Sequence, residues 1–339
     1  MKQLNWLITG GCGFIGTSLI QNILSNNPNA NIRVLDNLSV GTLEDLSEVC
    51  DFNQLNYMQV TGSPCGCELI EGDIRDPHIT EVVCKGIDVI VHLAANTGVA
   101  PSVENPRQDC ENNVTGILNM LEGARLNTIN KFIFASSGAP LGEQEPPIHE
   151  EKVPRPVSPY GASKLAGEAY CSAYYRTFGI QTVSLRFGNV YGPRSKHKSS
   201  VVAKFIKKAF AGETLEIYGD GGQTRDFIYI KDLINAITLS VQNDIGGEIF
   251  QIATYKETTV NELTEQLIKS LQLYYPNLDV KVIYGQSRLG DVRRNYSDIT
   301  KAKTILGFTP QYDLSTGLKE TIEWFIQTTS KGRNGKWGF

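Results

Sequence analysis

The hydrophobic positions fall into short continuous runs, separated by longer stretches in which apolar residues recur every three or four places. Leu4–Thr9 is apolar and ends in glycines, and Asn31–Asp36, Glu68–Gly72, Asp88–Ala95 and Lys131–Ser137 are further runs that predict strands. Between them Phe14 to Ser25 reads as a helix. So does Val103 to Asn127, with Val114, Ile117, Leu118 and Leu121 at helical spacing. Strand and helix in alternation predict an α/β protein, a Rossmann-type doubly wound parallel sheet with crossover helices.

Pro154, Pro156 and Pro159 stiffen a loop ahead of a helix starting near Tyr160, and Gln181–Phe187 predicts one more strand. There the rhythm breaks. Glycine and proline thicken around Gly188–Arg194 and Gly219–Gly222, and the later helices Val260–Leu271 and Leu314–Thr328 are amphipathic. The expected division is a Rossmann domain over 1–184, with about 226–253 returning to it, and a smaller mixed C-terminal domain over 185–225 and 254–330. The basic, glycine-rich stretch 331–339 is expected to be a loose tail.

Composition narrows the function classes. The chain has 339 residues, 41% of them hydrophobic and 20% charged, an ordinary globular balance. A net charge of −4 argues against a nucleic-acid partner. No apolar run approaches the ~20 residues of a membrane span, and the start runs straight into a strand rather than a signal peptide. Seven cysteines suit reduced thiols in a cytoplasm. Cys65-Gly66-Cys67, with Cys50 and Cys84, lacks the paired Cys-x-x-Cys spacing of a zinc knuckle, and the four histidines are scattered, so no metal is expected.

The glycine-rich stretch Thr9-Gly10-Gly11-Cys12-Gly13-Phe14-Ile15-Gly16 follows a strand and opens a helix. Gly10, Gly13 and Gly16 allow a tight turn, close approach to a pyrophosphate and helix-on-strand packing, while the helix start at Phe14 and Ile15 offers amide donors to phosphates. Asp36 closes the second strand 20 residues after Gly16, where a carboxylate binds an adenosine ribose. A carboxylate there repels a 2′-phosphate, and Asn37-Leu38-Ser39 brings no arginine, so NAD is expected rather than NADP. Asp73 and Ile74 are placed to hold the adenine. Leu93, Ala94 and Ala95 would pass small side chains beneath the cofactor.

Tyr160 and Lys164 stand four apart, on one face of a helix. A phenol is a poor base at neutral pH, but a neighbouring ammonium and a positive nicotinamide favour its ionised form. Ser137, ending the fifth strand, can share a hydrogen bond with the same substrate oxygen. These motifs, with His92-Leu93-Ala94-Ala95, Leu185–Arg194, Gly219–Phe227 and Arg288-Leu289-Gly290-Asp291-Val292-Arg293, run in order along nearly the whole chain. Together they resemble the NAD-dependent sugar-nucleotide epimerase/dehydratase family of extended short-chain dehydrogenases/reductases.

That resemblance implies that Tyr160 takes the proton of the sugar 4-hydroxyl, that Lys164 holds the nicotinamide ribose, and that Ser137 steadies the hydroxyl. It also implies a UDP-linked sugar held by Asn189, Arg225 and Arg288 at the phosphates, with Asp291 at the nucleotide ribose. A homodimer is expected through helices near Val103–Asn127 and Tyr160–Phe178. Dehydratases of the family carry an acid pair after the catalytic hydroxyl residue. Gly138 and Ala139 stand there instead, favouring 4-epimerisation of a UDP-hexose or UDP-N-acetylhexosamine through a 4-keto intermediate. A sugar-nucleotide dehydratase or other 4-keto-forming enzyme is the alternative, and a non-catalytic NAD-sensing protein a more distant one. Pro140-Leu141 replaces the family's Val-Tyr, a departure expected beside the sugar. Asn295, four places after Asp291, is expected to flank the substituent on sugar carbon 2, where a tyrosine would exclude an N-acetyl group.

Overall fold

The computed structural model describes residues 3–287 and 292–330. The expected runs become β1 (Asn5–Thr9), β2 (Asn31–Asp36), β4 (Cys67–Glu71), β5 (Val89–His92), β6 (Lys131–Ser137) and β7 (Gln181–Phe187), with β3 (Asn53–Leu55) lying before β4. Seven more strands follow: β8 (Asn189–Tyr191), β9 (Leu215–Tyr218), β10 (Thr224–Arg225), β11 (Phe227–Tyr229), β12 (Glu248–Ile252), β13 (Thr258–Thr259) and β14 (Val282–Gly285). β12 returns to the first seven, completing an eight-stranded parallel sheet of order β12-β7-β6-β5-β1-β2-β4-β3. The other six strands pair as β8 with β11, β9 with β14 and β10 with β13.

The helices are α1 (Phe14–Asn26), α2 (Leu43–Ser47), α3 (Pro77–Val83), α4 (Val99–Glu104), α5 (Pro106–Cys110), α6 (Gly116–Leu126), α7 (Pro159–Phe178), α8 (Val201–Phe210), α9 (Ile230–Gln242), α10 (Val260–Gln272) and α11 (Leu314–Ser330). Successive strand residues point to opposite faces, and both faces are covered. Leu7, Leu35, Ile90 and Phe132 meet Val83, Leu121 and Cys171 from α3, α6 and α7. Their neighbours Ile8, Val34, Val91 and Ile133 join Leu19, Ile20, Ile234 and Ile237 from α1 and α9. That second cluster continues without a break into α8, α10 and α11.

Three expectations change. Val103 to Asn127 is not one helix. Asn105 interrupts it, its side chain accepting from Gln108 N–H at 3.2 Å as the cap of α5, and Pro106 disfavours helix in the residue before it. A π-helical turn over Glu111–Thr115 then joins α5 to α6. The Asp88–Ala95 strand stops at His92, because the Thr9 hydroxyl captures the amides of Leu93 and Ala94 and bends the chain away. β3 adds a strand that no hydrophobic run marks, because Asn53-Gln54-Leu55 is a three-residue edge strand with two polar members.

The sheet reverses its winding between β1 and β5, and ligands of open α/β sheets bind in the crevice at such a point. There Gly10 has φ +68°, and a Cβ on it would lie 2.9 Å from the backbone nitrogen of Ala94. At Gly16 a Cβ would lie 2.5 Å from both the Gly10 carbonyl oxygen and the Gly11 Cα, all of them backbone atoms with no side chain to yield. Gly16→Ala is therefore expected to cost about 1–3 kcal/mol of stability. Urea unfolding measures this, and a wild-type midpoint would show that the helix is not seated that closely.

Candidate functional site

The loop between β1 and α1 has the form of a dinucleotide cradle. Gly13 precedes the first turn of α1 with no side chain capping it, which leaves the opening amides of the helix for a ligand. A Cβ on Gly13 would meet only the Gly10 carbonyl oxygen, at 3.3 Å, so the space beyond it is open where Gly16 is closed. Phe14 and Ile15 begin the helix, their side chains packed against the core and their amides in its first turn. Thr9 secures the loop from below, its hydroxyl 2.8 Å from His92 Nδ1. Burial pushes that imidazole down to about 3, so His92 is a neutral structural partner.

Asp36 ends β2 buried beside this loop, accepting from the amides of Cys12 and Leu38 at 2.9 Å each. Burial pushes its carboxyl above the usual carboxylate range, and these backbone donors oppose the rise. A carboxylate with four acceptor sites keeps capacity for ribose hydroxyls. After the neighbouring strand β4, Asp73 is gripped by Arg75 at 2.7 Å, which holds it below the usual carboxylate range, and it accepts from Asn37 at 3.4 Å. Ile74 turns its side chain into the core, and its carbonyl accepts from Asn119, so its amide is the group it can offer to an adenine. These residues fit an NAD molecule: the start of α1 would hold its diphosphate, and Asp36, Asn37 and Asp73 its adenosine.

The candidate catalytic trio, Ser137, Tyr160 and Lys164, assembles where β6 meets α7. Ser158 caps α7, its hydroxyl accepting from Gly161 N–H at 3.1 Å, and Pro159 opens the first turn. Gly161 lets the turn 139–141 approach, since a Cβ there would lie 2.6 Å from the Ala139 carbonyl oxygen. That contact brings the first turn of α7 against the end of β6, so that Tyr160 lies beside Ser137. Burial pushes the Tyr160 phenol up to about 12, and the Ser137 hydroxyl opposes this. Lys164 is buried, donates to the Ala135 carbonyl at 2.8 Å, and lies 4.9 Å from the centre of the Phe134 ring. Burial brings its ammonium down to about 8, against the pull of Asp109 and Glu168.

The substrate-side residues are more dispersed. Asn189 is exposed at the start of β8, its amide donating to the Asp226 carbonyl. Arg225 donates through Nη1 to the carbonyls of Thr224 and Val292, at 2.7 and 2.8 Å, so part of its guanidinium serves the scaffold. Asn295 is half-buried next to it, its amide donating to the Thr224 hydroxyl at 3.2 Å. Asp226 is buried and ties this side together, accepting from Thr254, Tyr255 and Ser297. Arg288 and Asp291 lie outside the described residues. Pro140 and Leu141 are both buried, with Leu141 wholly inside, so this departure from the family pattern is one of packing rather than of a side chain exposed in the site.

The chain matches the model of the NAD-dependent epimerase/dehydratase family over residues 6–253. It belongs to that family. A putative UDP-glucose 4-epimerase of Methanocaldococcus jannaschii is 38% identical over 323 residues, covering 94% of this chain and 97% of the relative. The UDP-glucose 4-epimerase of Thermotoga maritima, solved with UDP-glucose, superposes with a TM-score of 0.85 at 35% identity, covering 96% of this chain and 99% of the other. The UDP-N-acetylglucosamine 4-epimerase of Methanobrevibacter ruminantium, solved with UDP-N-acetylmuramic acid, superposes equally well at 0.85 with 33% identity, covering 97% and 100%.

Within this epimerase/dehydratase frame, several site residues carried no signal in the sequence pattern. Asn113 is buried in the π-turn. It donates to the Asn96 carbonyl, to Asp109 Oδ1 at 3.1 Å and to the Ser163 hydroxyl at 3.1 Å, so it joins the loop after β5 to α7. It stands in the polar run Glu111-Asn112-Asn113, in which no spacing singles it out. A cavity at the start of α1 is walled on one side by Gly13, Phe14 and Gly41, and on the other by Arg194, His197 and Lys198 from the C-terminal half. Arg194 and His197 are paired with Glu48 and Asp45 at 3.2 and 2.9 Å. Among the described residues no group of three or more His, Cys, Asp or Glu side chains could hold a metal ion. The sequence cluster of thiols resolves into a Cys50–Cys67 contact at 3.3 Å, with Cys84 buried separately in the core.

Two outcomes test this site. The Asp36→Ala variant is expected to lose the preference for NAD over NADP, read from the two dissociation constants. An unchanged preference would remove Asp36 from the ribose. An ultraviolet difference titration of wild type against Tyr160→Phe is expected to show a phenol ionising near 12 without cofactor. Saturating NAD should bring that ionisation down, because the positive nicotinamide favours a phenolate. An ionisation indifferent to NAD would place Tyr160 away from the nicotinamide.

Proposed function

We propose that the protein is an NAD-dependent sugar-nucleotide 4-epimerase acting on a UDP-hexose or UDP-N-acetylhexosamine. The observation that carries the choice among family reactions lies just past Ser137. Gly138 faces open space, with nothing within 4 Å of a Cβ placed on it, and Ala139 follows it in the 139–141 turn. No carboxylate stands at either position to move a proton at sugar carbon 5 or 6, so the trio is equipped for carbon 4 alone. NAD, when bound, would supply both the acceptor for that carbon's hydride and the donor that returns it to the 4-keto carbon. Tyr160 removes the proton of the 4-hydroxyl as a phenolate, Ser137 holds the same oxygen, and the Lys164 ammonium stabilises the phenolate. The 4-keto sugar, anchored by its diphosphate, turns its other face to the site and Tyr160 returns the proton.

The nucleotide diphosphate falls to Asn189 and Arg225; the family resemblance gives Arg288 to the phosphates and Asp291 to the nucleotide ribose. A guanidinium suits phosphate oxygens through its planar fork. We assign residues 185–225 and 254–330 to nucleotide-sugar binding, and 1–184 with the returning strand to NAD. A homodimer seam along the helices of 103–127 and along α7 accords with the exposed Val103, Leu126 and Phe178 on them. Seven free thiols accord with a reducing cytoplasm, and among the described residues no helix is long and apolar enough to cross a membrane.

A panel of UDP-hexoses and UDP-N-acetylhexosamines, followed by mass and by sugar analysis, tests the assignment. A new isomer of unchanged mass is expected. Loss of water identifies a dehydratase, and no reaction across the panel overturns the reading. Tyr160→Phe should retain NAD and lose at least ~100-fold in turnover. Asn295 leaves room beside carbon 2, so N-acetyl substrates are expected to be accepted at least as well as plain hexoses. Asn295→Tyr should impair them selectively, by about 1–3 kcal/mol in kcat/KM. An equal effect on both classes removes Asn295 as the gate.

A further inference from the structure

A second buried charge lies one helical turn beyond Lys164. Strand β6 loses its β5 neighbour after the pair His92–Phe134 and runs on beside β7 alone, which sets Ser136 opposite Arg186. Glu168 of α7 covers that cross-strand pair. Arg186 donates Nε and Nη2 to its two carboxylate oxygens at 2.8 Å each, and Ser136 donates its hydroxyl to Oε1 at 2.6 Å. Glu168 and Arg186 are only 3% and 2% exposed. Three consecutive residues of β6 thus face α7: Ala135 receives Lys164, Ser136 donates to Glu168, and Ser137 lies beside Tyr160. Two anchors one turn apart prevent the helix from sliding or rotating without breaking a charged contact.

Net stability is a poor reason for such an arrangement. Apolar residues of similar volume commonly match a buried ion pair, and Arg186 leaves its Nη1 buried without a partner. We propose that Glu168, clamped by Arg186 and Ser136, is a positioning residue. It seats α7 on β6 so that Tyr160 meets Ser137, and it keeps Lys164 charged beside the bound dinucleotide. This rests on the reading of the trio as an NAD-dependent site. The groups facing Lys164 are Asp109 from α5, His92 and the Phe134 ring from β5 and β6, and Tyr160, Glu168 and Cys171 on its own helix. His92 is neutral, so Asp109 and Glu168 are the carboxylates that favour the ammonium. Removing one lets Lys164 lose its proton at a lower pH.

The test uses the full chain with NAD, in the variants Glu168→Asp and the double variant Glu168→Leu/Arg186→Met, which removes both charges together. In the double variant NAD affinity at neutral pH is expected to fall about tenfold. Its further decline with rising pH should begin at lower pH than in wild type. Turnover should fall about 100-fold with little change in KM, the scale of a misplaced catalytic group. Glu168→Asp keeps the charge but shortens the clamp, so turnover should drop while the pH dependence of NAD binding stays where it was. A folded double variant with wild-type turnover and wild-type pH dependence of NAD binding overturns the proposal. So does wild-type turnover in Glu168→Asp, should the double variant not fold. NAD binding is read without sugar, so failure of the wild type to epimerise any sugar would overturn the reaction and leave this test standing.

Discussion

Lys164 spends its charge inside the protein, and the geometry of the site follows from how that charge is held. An ammonium removed from water needs an acceptor, and the Ala135 carbonyl provides one at 2.8 Å at the point where β6 outruns β5. A helix tied there must bring its first turn against the strand end, and Gly161 supplies the clearance. Tyr160 then has one place to go, beside Ser137. Burial raises the phenol to about 12 and lowers the ammonium to about 8, so in the absence of a cofactor each of the two groups resists ionisation. The site is poised to become basic only when a further positive charge arrives, and a nicotinamide brings it.

The dinucleotide cradle and the trio are built from the same row of strand ends. β1 delivers the glycine loop, β2 delivers Asp36, and β6 delivers Ser137, because all strands of the sheet run parallel and finish on one edge. The Thr9 hydroxyl pulls the chain after β5 against Gly10, and Asn113 pulls the same loop against α7. A cofactor lying along this edge would touch three crossover units at once.

Much of this was legible in the sequence wherever function and local geometry coincide. The β1–α1 glycines, the carboxylate closing β2, and the Tyr160–Lys164 spacing are short-range patterns that a single strand or turn expresses. The break at Pro106 was also local, but the apolar positions from Val114 to Leu121 obscured it. Glu168 with Arg186, Asn113 with Ser163, and the cationic loop 194–198 over the start of α1 are different in kind. Each joins residues from separate crossovers, and no periodicity marks them. Leu141 makes the opposite point, since a substitution that looks like a change of substrate contact in sequence is a packing change in space.

The central claim is that the trio works at carbon 4 alone and that the hydrogen leaving that carbon returns to it. Running the reaction in deuterated water and reading product mass tests this most directly. In a 4-epimerase the carbon-bound hydrogen passes to NAD and back without meeting solvent, so the new isomer should carry no carbon-bound deuterium. A product with deuterium fixed on carbon, or one lighter by a water, would contradict the account.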